Sequence, residues 1–271
     1  VIVEISPSVR VGEGQKLLLI AGPCQIESRE HCLSIAEFLR KETSQLPVSL
    51  VFKSSFDKAN RTSVKGARGI GMDKGLRILE DVRNAIGAPV LTDVHTEEQA
   101  KTVGQVVDVL QIPAFLCRQT DLLIAAGATG KAVHVKKGQF LHPADMQFVA
   151  EKIASTGNTK TILCERGTTF GYRDLILDPR NLIIMRQTGY PVVFDATHSV
   201  QQLGGSGGSS GGSRAFVQAL ARAAVATGVD GVFVECHNDP DNAPSDGPCM
   251  LPLEQVGPLL RTLCRIREAI S

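Results

Sequence analysis

Apolar residues in this chain recur in short unbroken runs, and between the runs they recur every three or four positions. The runs are Leu17–Ala21, Val48–Phe52, Pro89–Thr92, Val107–Gln111, Ala132–Val135, Thr161–Cys164, Val192–Asp195 and Gly231–Val234. Near-continuous apolar runs of this length mark strands buried on both faces, as in a parallel sheet covered by helices. The segments Glu30–Lys41, Lys74–Ala85, Ala144–Ser155, Arg214–Ala226 and Leu253–Ile270 carry helical spacing. Eight buried strands alternating with helices predict a (β/α)8 barrel of the TIM type, with residues 1–271 as one domain. A doubly wound open sheet is the competing arrangement. It usually has fewer strands and a glycine-rich first turn, and the turn from Ala21 to Cys24 carries no GxGxxG. Upstream, Val1–Ile5 and Val9–Val11 flank Ser6, Pro7 and Ser8. This predicts a small hairpin within residues 1–16, covering the N-terminal end of the barrel.

Barrel enzymes gather their reactive groups at the C-terminal ends of the strands. Here nearly every predicted strand delivers a polar or charged residue to that rim. They are Cys24, Lys53, Asp93, Gln111, Lys136 and Lys137, Glu165 and Arg166, Asp195 and His198, and Glu235 and His237. The stretch Lys53–Ser63 adds Lys58 and Arg61 beside four hydroxyls. Cations crowded this closely repel one another, and an anionic ligand removes that cost. A solvated basic loop is the plain alternative. Lys53, Lys58, Arg61, Arg166 and one of Lys136 or Lys137 are too many for one phosphate. They suggest two phosphates, or a phosphate and a carboxylate.

Cys24, His198, Glu235 and Asp246 offer a thiolate, an imidazole and two carboxylates, a mixed set suited to a borderline cation such as zinc or iron. His237 and Asp239 are neighbours that can ligate or hydrogen-bond instead. By spacing alone, a cysteine after Gly-Pro reads as a turn residue at least as readily as a ligand. The low-complexity stretch Gly204–Gly212 lies between a strand end and a helix, which favours a mobile active-site loop over a linker.

The bulk numbers narrow the class. Lys and Arg total 29 and Asp and Glu 28, a net charge of +1 that argues against a general nucleic-acid or membrane-surface binder. No apolar run is long enough to span a bilayer and the start carries no signal-peptide pattern. The seven cysteines are scattered without a CxxC pair, against a disulfide framework and in favour of a reducing cytoplasm.

Ordered motifs along nearly the whole chain resemble the 3-deoxy-D-manno-octulosonate 8-phosphate synthase family. They are Ala21–Ser28, Lys53–Ser63, Gln111–Asp121, Val135–Phe140, Cys164–Tyr172, Phe194–Val200 and Glu235–Gly247. The resemblance implies a cytoplasmic homotetrameric barrel that condenses phosphoenolpyruvate with D-arabinose 5-phosphate and releases inorganic phosphate. It implies that Lys136 and Arg166 hold the phosphoenolpyruvate phosphate and that Lys53, Ser55 and Gln111 surround its carboxylate end. Lys58 would sit between the substrates, and Asn60, Arg61 and Thr62 would hold the sugar phosphate. Many family members carry Ser at the position of Thr62, which keeps the hydroxyl. Asp93 and Gln202 are weaker candidates for sugar contacts. The family has a metal form with Cys in its first strand-end motif and a metal-free form with Asn. Cys24 resembles the former, which implies a zinc, iron or manganese ion on Cys24, His198, Glu235 and Asp246. Lys58, Cys24, His198 and Asp246 are the expected catalytic groups. The nearest rival, 3-deoxy-D-arabino-heptulosonate 7-phosphate synthase, uses erythrose 4-phosphate and differs in its counterpart of Lys58–Ser63. A sialic acid synthase is a more distant resemblance, and a phosphosugar sensor without catalysis is the non-enzymatic rival.

Overall fold

The computed structural model describes residues 1–60, 66–171, 174–202 and 211–271. Eight parallel strands form its centre: Leu17–Gly22, Val48–Lys53, Val90–Asp93, Val109–Ile112, Ala132–Lys136, Thr161–Glu165, Val192–Asp195 and Gly231–His237. Here they are numbered one to eight. Each pairs with the next, and strand eight pairs back onto strand one from Gly231↔Leu18 to Glu235↔Gly22, which closes the barrel. All eight predicted runs are strands. The apolar alternation explains why: one set of side chains fills the interior and the other packs under the helices.

Helices Arg29–Ser44, Met72–Ile86, Met146–Ala154, Val217–Ala226 and Val256–Ala269 match the predicted helical segments. The first begins where Ser28 Oγ accepts the His31 N–H at 3.1 Å, with Glu30 in its first turn. Three short helices, Glu97–Val103, Thr120–Gly127 and Pro179–Arg186, complete the ring. Among the described residues, no helix is long and apolar enough to cross a membrane.

The N-terminal hairpin pairs Val3–Ser6 with Val9–Val11. Its buried Val3, Val9 and Val11 join Leu18, Ile20, Val51, Leu91, Val109, Ala132, Ile162, Val193 and Phe233 in one inner cluster. The hairpin therefore plugs the bottom of the barrel, as the sequence predicted. A second hairpin, Thr168–Gly171 with Asp174–Ile176, rises after strand six. Of the glycine-rich stretch, residues 204–210 lie outside the described residues. Gly211 and Gly212 pair with Gln202 and Gln201.

Candidate active site at the strand C-termini

Successive interior positions along a strand are two residues apart, and this period builds the site. Above the dry layer of Val51, Leu91, Val109, Val193 and Phe233 stand Lys53, Asp93, Gln111, Asp195 and Glu235, each two residues further along its own strand. His134 and Lys136 follow Ala132 in the same way, and Arg166 follows Cys164. All eight of these polar side chains are buried. At the end of strand one, Gly22 has φ +156°, and a Cβ there would collide with the carbonyl of Lys53. Only glycine lets the chain cross so close before Cys24 turns into the site.

Cys24, Glu235 and Asp246 present ligand atoms within 4.8 Å of one another. Burial, reinforced by Glu235, pushes the Cys24 thiol well above its ordinary range. In this state its S–H donates to Asp246 Oδ2 at 3.1 Å. Asp246 is the one non-glycine among the described residues with positive φ, at 49°. Glu235 Oε1 accepts from Lys53 Nζ at 2.5 Å and lies 4.0 Å from Lys58 Nζ. Lys53 also donates to the Cys24 carbonyl at 2.9 Å, tying strands one, two and eight together. Burial works against the Glu235 carboxylate, but Lys53, His198 and Lys58 outweigh it and hold it far below the usual range. Burial likewise opposes ionisation of Asp246, and His198 and Lys58 are among the groups that hold it low. Glu235 Oε2 is buried with no hydrogen-bond partner among the described residues and lies 3.4 Å from His198 Nε2. His198 is turned by Asp195, whose Oδ2 accepts from Nδ1 at 2.7 Å while its Oδ1 takes the backbone N–H at 2.9 Å. An imidazole fixed by a carboxylate at one nitrogen, an orphaned carboxylate oxygen and a thiol form a donor set that fits a borderline divalent cation.

The other half of the site is cationic. Lys136 Nζ donates to Asp195 Oδ2 and sits 3.1 Å from the centroid of the Phe233 ring. Lys137 points the opposite way, held by the carbonyls of Gly138, Leu141 and Gly167 at 3.2–3.4 Å. Strand alternation thus settles on Lys136 as the interior lysine of the two. Arg166 Nη2 donates to Gln201 Oε1 at 2.7 Å and to the His198 carbonyl at 3.3 Å. Its Nε is buried without a hydrogen-bond partner among the described residues. Glu165 leaves the guanidinium alone and accepts instead from the backbone N–H of Arg166 and Gly167 at 2.9 and 2.6 Å.

Lys58 donates to Ser55 Oγ at 2.8 Å. Burial opposes its charge, but the carboxylates of Glu235, Asp93 and Asp246 around it keep it firmly protonated. Asp93 accepts from His95 Nε2 at 3.1 Å, and its Oδ1 is buried without a hydrogen-bond partner among the described residues. Gln111 Oε1 pairs with His134 Nδ1 at 3.0 Å. Asn60 is exposed, and Arg61 and Thr62 lie outside the described residues. Gln202 is exposed and donates to Asp174 at 3.2 Å, away from the groups above. Its neighbour Gln201 enters the site in its place. Gln201 was not singled out from the sequence, and Asp195 stood there only as a rim residue without a role. The signal for both is the spacing Asp195, His198, Gln201 along a tight turn at His198–Val200, where residues three apart stack on one face.

A second cluster, Glu27, His31 and His237, lies behind the first. His237 Nδ1 accepts the Asp239 N–H at 2.9 Å, so the proton sits on Nε2 and is donated to Glu27 at 2.8 Å. His31 Nε2 meets Asn238 Oδ1 at 2.9 Å. These bonds staple the segment carrying Cys24 to the segment carrying Glu235. They leave His237 with no lone pair facing a cation.

The profile of the DAHP synthetase I family matches residues 1–270. The 2-dehydro-3-deoxyphosphooctonate aldolase of Granulibacter bethesdensis is 61% identical over 94% of this chain and 91% of its own length. Proteins of the same description from Rhizobium meliloti and Brucella canis are each 58% identical. The first covers 96% of both chains, and the second covers 99% of this chain and 100% of its own.

Proposed function

The chain belongs to the DAHP synthetase I family, and within it we propose that the protein condenses phosphoenolpyruvate with D-arabinose 5-phosphate and water. The products are 3-deoxy-D-manno-octulosonate 8-phosphate and inorganic phosphate. The observation that carries this reading is the pairing, inside one barrel mouth, of two buried cations with the thiol–carboxylate cluster of Cys24, Glu235 and Asp246, beside which His198 Nε2 lies 3.4 Å from Glu235 Oε2. The relatives' shared description supports the octulosonate branch over the heptulosonate branch.

In this reading Lys136 and Arg166 hold the phosphoenolpyruvate phosphate, the partnerless Arg166 Nε supplying a ready donor. Lys53, Ser55 and Gln111 lie toward its carboxylate. Lys58, kept protonated in a buried setting, stands between the substrates and donates to the aldehyde oxygen as charge develops there. Asp93, whose Oδ1 has no hydrogen-bond partner among the described residues, faces the sugar, and Asn60, Arg61 and Thr62 are assigned to its phosphate. Gln202 remains a candidate sugar contact only through a different side-chain arrangement from the one described. The enol CH₂ carbon bonds to the aldehyde carbon, whose oxygen takes a proton. Water adds at the adjacent carbon, and the hemiketal phosphate so formed loses phosphate by C–O cleavage. The site's main contribution is to hold two mutually repelling anions in reacting order.

Cys24, His198, Glu235 and Asp246 would hold a divalent ion, with zinc, iron and manganese as the candidates. Such an ion supplies Lewis-acid polarisation of a bound oxygen. We read the assembly as a homotetramer. Exposed Phe115, Phe140, Phe148 and Phe170 support self-association, and sedimentation velocity tests it.

The deciding experiment is phosphate release from phosphoenolpyruvate with arabinose 5-phosphate and, separately, erythrose 4-phosphate, each before and after EDTA. The expected result is release with the pentose only, lost on chelation and restored by a divalent ion. Release with the tetrose would move the protein to the heptulosonate branch. Indifference to EDTA would remove the metal role of Cys24.

A further inference from the structure

Gln201 stands between the two halves of the site. Its Oε1 accepts from Arg166 Nη2 at 2.7 Å and its Nε2 donates to Asp246 Oδ1 at 2.8 Å. The amide can face only this way, because a guanidinium only donates and a carboxylate only accepts. Asp195 repeats the construction on the other side, one oxygen receiving both Lys136 Nζ and His198 Nδ1. Each cation assigned to the phosphate is therefore tied, through a single intervening side chain, to a residue assigned to the cation.

Three further observations bear on what the Gln201 link does. Arg166 Nε is buried without a hydrogen-bond partner among the described residues, which leaves this donor for an anion while Nη2 keeps Gln201. Asp246 holds a backbone φ of +49°, in the left-handed region that aspartate enters more readily than most side chains, and this turn carries its carboxylate into the site. Its side-chain contacts are Gln201 on Oδ1 and Cys24 on Oδ2. The aim of Asp246 at the thiol is thus set in part by the same amide that Arg166 grips.

We propose that Gln201 is a positioning residue that couples the anion pocket to the cation site, so that phosphoenolpyruvate and a divalent ion each bind more tightly when the other is present. The inference rests on the proposed function, since it takes Arg166 as a phosphate ligand and Asp246 as a metal ligand. An anion on Arg166 polarises the guanidinium, the amide and the carboxylate as one chain of hydrogen bonds, and it holds Asp246 in its ligating orientation. Linkage makes the effect reciprocal. A glutamine that merely filled space would contribute stability and leave the two affinities independent.

The test is a cobalt titration of metal-free protein, followed by the thiolate-to-cobalt absorption band, with and without saturating phosphoenolpyruvate and no sugar phosphate. In the wild type, phosphoenolpyruvate should tighten cobalt binding about fivefold or more, the lower end of ordinary coupling, and calorimetry in the reverse order should return the same factor. Gln201→Leu should bind both ligands but lose most of that factor. Gln201→Glu keeps an acceptor for Arg166 and sets a like charge against Asp246. It should also lose the coupling while still binding phosphoenolpyruvate without metal, and it keeps the test open should the leucine variant fail to fold. A full wild-type factor in either folded variant overturns the proposal, as does a wild type whose two affinities are independent. Absence of any cobalt–thiolate band in the wild type overturns the metal reading itself, and the coupling falls with it.

Discussion

The two ends of the barrel interior are built by the same strands and behave as opposites. At the bottom, Leu18, Ile20, Val51, Leu91, Val109 and Phe233 close on the hairpin valines with no polar side chain among them. One step of two residues higher, Lys53, Asp93, Gln111 and Glu235 share a buried space with Lys136 and Asp195, and the half-buried Lys58 stands beside them. Burial of apolar surface stabilises the lower end. The upper end forfeits hydration of its charges, and even a close buried pair such as Lys53 and Glu235 is weak support for stability. The comparison teaches that in this barrel stability and chemistry are assigned by height along each strand.

The largest effect should come from breaking a buried pair at the upper end. Lys53→Met leaves Glu235 without its closest countercharge, a loss of about 3–5 kcal/mol in urea unfolding after EDTA treatment. Added divalent ion should recover part of that loss, because it replaces the missing positive charge. A penalty indifferent to the ion would mean that Glu235 does not hold one. At the lower end, Leu18→Ala removes packing in the dry layer and should cost about 2–5 kcal/mol. Both KM values and the turnover of the folded enzyme should stay within about twofold of wild type. A clear shift in either KM would show that the two heights are not independent. Asp195→Asn sharpens the contrast within the upper end. It weakens the hold on both Lys136 and His198, so phosphoenolpyruvate KM and metal content should change together. The expected fall in kcat/KM is about tenfold to a hundredfold, as for other residues that orient metal ligands.

The same division by height explains what the sequence disclosed. The eight strands were legible because burial on both faces leaves near-continuous apolar runs. The strands Thr168–Gly171 and Asp174–Ile176 were not, since their residues are half-buried or exposed and carry no apolar period. The short helices Glu97–Val103, Thr120–Gly127 and Pro179–Arg186 offered only two or three turns of spacing. In the site, Cys24, Lys53, Glu235 and Asp246 converge from segments far apart in sequence. Neighbours of one residue type were harder. Lys136 and Lys137 differ only in which face of the strand they take, and a tight turn decides between Gln201 and Gln202. No residue preference distinguishes either pair; backbone geometry does.

The smallest effect concerns the rim pair Asp93 and His95, where the upper end reaches its outer edge. His95 Nε2 lies 3.1 Å from Asp93 Oδ2, and Gln99 Oε1 takes its backbone N–H at 2.8 Å. Burial alone would lower the His95 pKa, but the hydrogen bond and charge of Asp93 outweigh it and raise it above the ordinary 6.5. A histidine more easily protonated when folded stabilises fully below its unfolded value, near 6.5, and loses that contribution as pH climbs through the raised folded value. Asp93 moves the other way. Burial opposes its charge, yet His95 and Lys58 hold it far below the carboxylate range, so its share is present above about pH 4 and fades in acid. Both contributions overlap from about pH 4 to 6.5. Urea midpoints at pH 6 and pH 9 should therefore fall further in the wild type than in His95→Gln. The difference should be about 1.5 kcal/mol, the scale of a hydrogen bond to a charged group. Equal slopes in the two proteins would show that Asp93 keeps its charge for the sugar alone, with His95 a bystander.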